Sequence, residues 1–194
     1  MTAKVDCSVC HAAAAEQFKE SIHGQLLAKG SPDAPACAEC HGTHGVLGRN
    51  DPRSPIFSRN VPTLCANCHR AGQRAAIRYR GTQTNAVEHY NESIHGKGLL
   101  KSGLTVTANC ADCHTAHREL PSRDPRSSIN PRNVAATCGR CHRGIYEMFT
   151  ASIHSPQASK TTKPLPVCSE CHSAHSIKRT DLTDFRLHIM DQCG

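Results

Sequence analysis

Cysteine, cysteine and histidine recur in the order Cys-x-x-Cys-His six times, at 7–11, 37–41, 65–69, 110–114, 138–142 and 168–172 of a 194-residue chain. Two thiols three positions apart fall on one side of a helical turn, with the next imidazole following them round. Thiols so placed can add to the two vinyl groups on one edge of a porphyrin while the imidazole comes under its iron. The motifs therefore read as six covalent haem c sites. Cys7, Cys10, Cys37, Cys40, Cys65, Cys68, Cys110, Cys113, Cys138, Cys141, Cys168 and Cys171 would be the attachment points, and His11, His41, His69, His114, His142 and His172 the proximal ligands.

Paired Cys-x-x-Cys also builds zinc ribbons, redox dithiols and iron–sulfur sites. None of these asks for His directly after every pair. With 14 His in the chain, six such placements by chance have odds on the order of 10⁻⁷.

A second set of imidazoles comes with the repeat. Shifting the chain by 131 residues lays Cys138 on Cys7, His154 on His23, Cys168 on Cys37 and His175 on His44. A middle copy runs from Cys65 through His95 and His117 to Cys138, with about 14 extra residues within 70–89 that carry Arg74, Arg78, Arg80 and His89. The chain thus reads as one haem-scaffolded domain, 1–194, of overlapping repeats at 7–69, 65–142 and 138–194.

Two elements recur in each copy. An aromatic followed by x-x-Ser-Ile-His spans Phe18 to His23, Tyr90 to His95 and Phe149 to His154. Helical spacing would put the aromatic and the Ile on one face with the His at its edge. The other element is Cys-x-acidic-Cys-His-x-x-His, with Glu39, Asp112 and Glu170 in the acidic place and His44, His117 and His175 at the end. That last His is too near its own proximal His to reach round the same ring, so it is assigned to a neighbouring haem. His23, His44, His95, His117, His154 and His175 then match the six proximal His as distal ligands, although spacing does not say which serves which. His89 and His188 are left over, as surface or propionate-binding residues or as ligands of a haem not yet counted. Cys193 falls where Cys65 and Cys138 fall in the other copies and reads as the first half of an interrupted seventh motif.

The elements that hold these residues are expected to be short. Aromatic residues are 4% with no Trp, and Cys and Ala fill much of the 38% hydrophobic share, so the polypeptide alone cannot build an ordinary core. Thirteen Gly and 11 Pro lie mainly between the motifs. The fold class is therefore mainly α and irregular: short helices and long loops wrapped around covalently bound haems, with little or no β-sheet. The segments 49–65 and 122–138 resemble one another through Asp-Pro-Arg-Ser and read as ordered returning loops, with Arg53, Arg59, Arg126 and Arg132 as candidate propionate contacts.

The net charge is +7, with 23 Lys and Arg against 16 Asp and Glu. Six ferric haems with ionised propionates, at about −1 each, would bring it near zero, so the basic residues need no nucleic acid as partner. No basic run with stacking aromatics occurs. Nor does any stretch approach the roughly 20 apolar residues of a membrane span. Haem attachment to thiols is extracytoplasmic in bacteria and archaea, so the expected location is periplasmic or extracellular, and MTAKVD is not expected to be the native start of the precursor.

Six Cys-x-x-Cys-His, three Ser-Ile-His and three Cys-x-x-Cys-His-x-x-His elements resemble the multihaem cytochromes c of the cytochrome c3-like, doubled-CxxCH superfamily, over essentially 7–194. The resemblance implies electron transfer through closely packed, low-potential, bis-His haems rather than enzymatic catalysis. Similar repeats occur in periplasmic carriers, in haem domains of quinol-linked membrane complexes, and in extracellular cytochromes that polymerise into conductive filaments. The implied partners are redox proteins or a quinol-linked complex, with self-assembly into a filament as the alternative. A multihaem reductase is a further alternative, which would need an iron with an open site.

Overall fold

The computed structural model describes residues 5–193, without the side chains of 188 and 190–193, so His188 and Cys193 lie outside the described residues. Helices and turns make up the regular structure there, and no strand is present among the described residues. In chain order the helices are α1 (Ala12–Glu20), α2 (Ile22–Ala28), α3 (Cys37–His41), α4 (Val61–His69), α5 (Arg74–Arg78) and α6 (Ala86–Glu92). They continue with α7 (Ile94–Gly96), α8 (Cys110–His114), α9 (Val134–Gly139), α10 (Arg143–Ala151), α11 (Cys168–His172) and α12 (Thr183–Cys193). A π-helical turn, Lys97–Lys101, extends α7. The sequence-only insertion becomes α5 and its flanks, tied back to the first copy by an ion pair between Arg78 and Asp33.

The second motif of each unit is a single helical turn: α3, α8 and α11. The acidic residue inside it is a cap. Glu39 accepts from the Ala36 amide at 2.9 Å, Asp112 from the Asn109 amide at 2.8 Å and Glu170 from the Val167 amide at 2.8 Å. A carboxylate there satisfies a donor just ahead of the turn and complements the helix dipole. The residue after the proximal His then turns the chain sharply. Gly42 has φ 83°, and Thr115 and Ser173 take the same route at 69° and 62°, backbone that costs a side-chain-bearing residue on the order of 1–3 kcal/mol.

The Ser-Ile-His element differs from its sequence reading. The aromatic and the Ile do not share one helix, because the chain breaks at the Ser between them: α1 ends and α2 begins at Ser21, and α6 and α7 meet at Ser93. The serine caps both helices. Ser21 Oγ donates to the Phe18 carbonyl at 2.7 Å and accepts from the Gly24 amide at 3.0 Å, and Ser93 does the same with Tyr90 at 2.6 Å and Gly96 at 3.0 Å. This tight corner leaves no room for a side chain three residues after the serine. A Cβ on Gly24 would stand 1.9 Å from the Phe18 carbonyl oxygen, and one on Gly96 2.0 Å from that of Tyr90. In the third copy Ser155 takes the glycine's place, and the helix after the corner is replaced by turns. Gly96→Ala should therefore move His95 and destabilise the protein by about 1–3 kcal/mol in denaturant titrations. Gly144→Ala, at a position with open space around it, is the control and should cost nothing.

The two Asp-Pro-Arg-Ser loops are superimposable in their bonding. Ser54 donates to the Leu47 carbonyl and Ser127 to that of Leu120, both at 3.0 Å. The Asn60 amide reaches Pro52 and Ser54 carbonyls at 2.9 and 2.8 Å, and Asn133 those of Pro125 and Ser127, both at 2.8 Å. Arg53 and Arg126 fork the aspartates of their own turns, Asp51 and Asp124, and Arg126 also reaches Glu20 at 3.0 Å.

Among the described residues the buried apolar side chains are Val61, Tyr90, Leu99, Leu120, Val134 and Phe185. The polypeptide exposes 13648 Å². A compact protein of 21.0 kDa would expose about 9,000 Å². The chain thus exposes about half as much again as a compact protein of its mass.

Candidate metal centres

Eight of the twelve expected ligands come together as four pairs, each with ring centroids 6.0 Å apart: His23 with His69, His41 with His117, His95 with His142, and His114 with His175. Every pair joins a proximal His to a distal one. Two metal–nitrogen bonds of about 2 Å and two imidazole half-widths of about 1 Å add up to this separation. Contact between bare rings would give a distance that varies with tilt. Here the interplanar angle ranges from 5° to 57° while the distance stays the same, as a common bridging atom would impose. Among the described residues no three His, Cys, Asp or Glu side chains converge on one point. Two imidazoles are what an iron needs when a porphyrin supplies its other four bonds, so the residues fit a haem.

The pairs cross between units in a fixed register. At the first junction His23 of the first unit meets His69 of the second, and His117 of the second meets His41 of the first. At the second junction His95 meets His142 and His175 meets His114. One backbone bond accompanies each exchange: the Ile22 amide donates to the Glu119 carbonyl at 2.9 Å, and the Ile94 amide to that of Ile177 at 2.8 Å. Each acceptor lies two residues beyond the distal His of the other unit. The ring planes also sort by class, at 57° and 43° for pairs using Ser-Ile-His and 15° and 5° for the other pairs. The proximal imidazole that each of His117 and His175 meets thus belongs to the adjacent unit rather than the adjacent motif.

The motifs follow one another in space. The first thiols of the two motifs in each unit lie beside one another: Cys7 by Cys37, Cys65 by Cys110, Cys138 by Cys168. Those contacts, with burial, push the Cys65 and Cys138 thiols up. Between units, Cys40 lies by Cys65 and Cys68, and Cys113 by Cys138 and Cys141. No disulfide joins the described cysteines. Motifs one to six are therefore spatial neighbours in sequence order.

Burial first, then His175 and His69, holds His114 down at about 4. A neutral imidazole is the form that binds metal. One of the expected distal ligands, His23, has a carboxylate beside it. Glu119 Oε2 lies 3.8 Å from His23 Nδ1 and has no hydrogen-bond partner of its own, and burial pushes its pKa up to about 7. A negative charge there strengthens the imidazole as a donor and favours the oxidised metal. Glu119→Gln should raise the midpoint potential of the His23/His69 centre alone, on the order of tens of millivolts, in spectroelectrochemical titration at alkaline pH.

The remaining four expected ligands are not brought together. His11, His44 and His154 are exposed, and His172 lies against the Phe185 ring at 5.0 Å. His89 is exposed beside His175 and joins no 6.0 Å pair. Reading the sequence alone missed the helix-breaking serines, Glu119, Phe185 and the isoleucine amides. The Ser-Ile repetition was a signal for the first and last of these; nothing in composition pointed to Glu119, whose position holds Val46 and Ile177 in the other units.

No helix among the described residues is long and apolar enough to cross a membrane. In comparisons with known proteins the chain matches no family model, and no curated sequence or solved structure is similar to it.

Proposed function

We propose that this chain is a multihaem c-type cytochrome that carries electrons along a line of closely spaced bis-His haems, and that it is a carrier rather than an enzyme. The observation that carries this reading is the set of four proximal–distal imidazole pairs, all at 6.0 Å. When bound, the haems supply reversible one-electron chemistry. The cysteines anchor each ring by two bonds, so the group cannot leave. At the four paired positions two imidazoles would hold the iron, which would leave no site for a substrate there and favour low potential. Thiol contacts from motif to motif keep successive rings near one another. Chemistry of this kind is made outside the cytoplasm, so the protein belongs in the periplasm or the extracellular space, with redox proteins or a quinol-linked membrane complex as partners.

Intact mass of the purified holoprotein should show one haem for every Cys-x-x-Cys-His. Paramagnetic resonance of the oxidised form should show two low-spin classes, because near-parallel imidazole planes split the iron d-orbitals differently from tilted ones. Zinc in place of haem, or carbon monoxide binding at the His41, His69, His114 and His142 centres on reduction, would overturn the reading.

A further inference from the structure

Both internal junctions are built from the same three parts, and each outer face of the three-unit array displays half of them. A unit gives its Ser-Ile-His imidazole to the first motif of the following unit and receives, for its own second motif, the terminal His of that unit's Cys-x-x-Cys-His-x-x-His. It also donates its Ile amide to a carbonyl two residues past that His. The third unit has Ile153, His154 and His172 to offer on this side. Ile153 is 77% exposed against 38% for Ile22 and 39% for Ile94, which are docked. Among the described residues its amide has no acceptor. The first unit has the opposite halves: exposed His11 without a distal ring, exposed His44 without a proximal one, and Val46, 59% exposed, in the acceptor position of Glu119 and Ile177. What one face lacks the other has in surplus, atom for atom.

We propose that His154 is the axial ligand of a haem outside the six of this chain, carried by a further unit of the same kind, and that the haem on His172 takes its second imidazole from that unit. On the other face His44 ligates, and the haem on His11 is ligated by, a unit that precedes the first. The partner chemistry is thus an imidazole and a haem iron in the same reciprocal exchange as at the two internal junctions. The unit belongs to a second copy of this chain packed head to tail, because the groups in surplus on one outer face are those the other lacks. The haem line then runs on past motifs one and six, and Ile153 donates to a carbonyl of the next copy. This inference rests on the proposed haem chemistry.

The test uses the full holoprotein with His154→Met and, separately, His44→Met, read by near-infrared magnetic circular dichroism of the oxidised state. His154 and His44 are exposed, so the variants should fold and keep every covalent haem. Expected in each is the conversion of one haem per chain from bis-imidazole to imidazole–thioether ligation. Particle mass from light scattering completes the test. Conversion in particles larger than one chain, lost on dilution to single chains, is the expected result. Conversion in particles of single-chain mass would overturn the second copy as the source of the ligand. Spectra identical to the parent in both variants, with haem content intact, would overturn the exchange while leaving the electron-carrier reading in place. A holoprotein mass without haem would overturn both.

Discussion

Replacing His175 by methionine should raise the midpoint potential of one centre by about 100 mV or more and leave the other centres close to their parent values. His175 faces His114 across 6.0 Å with ring planes within 5°, the most nearly parallel of the four pairs. A thioether donates less to iron than an imidazole and stabilises the ferrous state, which is why His/Met ligation sits at higher potential. The centre on motif four lies inside the line, with motif three on one side through Cys65 and Cys110 and motif five on the other through Cys113 and Cys138. A deeper well at that place holds the electron. At about 2.3 kcal/mol per 100 mV, escape to either neighbour slows by roughly fifty-fold. Spectroelectrochemistry gives the potential, and flash reduction at one end of the line gives the rate. Unchanged values for both would sink the assignment of His175 as a ligand.

The chain produced without haem attachment should have no cooperative unfolding transition and little helical circular dichroism. Its helices run from three to 11 residues among those described, whereas an isolated helix is marginal in water below about 12–15. Six buried apolar side chains serve the whole polypeptide among the described residues, and Leu99 is the one with no exposure at all. What remains is capping, of the kind Ser21 and Ser93 provide, and caps hold a helix end only after the helix has a reason to form. Folding and haem attachment are then one event. Cys110→Ser with Cys113→Ser, which removes the anchors of a single interior ring, should lower the melting temperature by on the order of 10 °C. A cooperative melt of the haem-free chain would show that the polypeptide has a core of its own.

The helical, sheet-free character was legible because large apolar side chains are scarce and Gly and Pro sit between the motifs. The one-turn helices α3, α8 and α11 follow from the acidic cap that Glu39, Asp112 and Glu170 mark. The break at Ser21 and Ser93 was not legible, since Phe18 and Ile22 have a spacing that suits a continuous helix. A hydroxyl that bonds the carbonyl three residues back and the amide three residues on prevails there over helical propensity.

Sequence by itself determined where the six Cys-x-x-Cys-His motifs and the second set of His stand, because both lie within a few residues of a repeated element. It determined that the units repeat. Only the tertiary structure decided which imidazole faces which: His23 with His69, His117 with His41, His95 with His142, His175 with His114. The segments between them are turns and loops with no constant rise, so distance along the chain carries no direction in space. The pairing is set by docking of one unit on the next, through contacts such as Ile22 to Glu119 and Ile94 to Ile177, that no single motif contains.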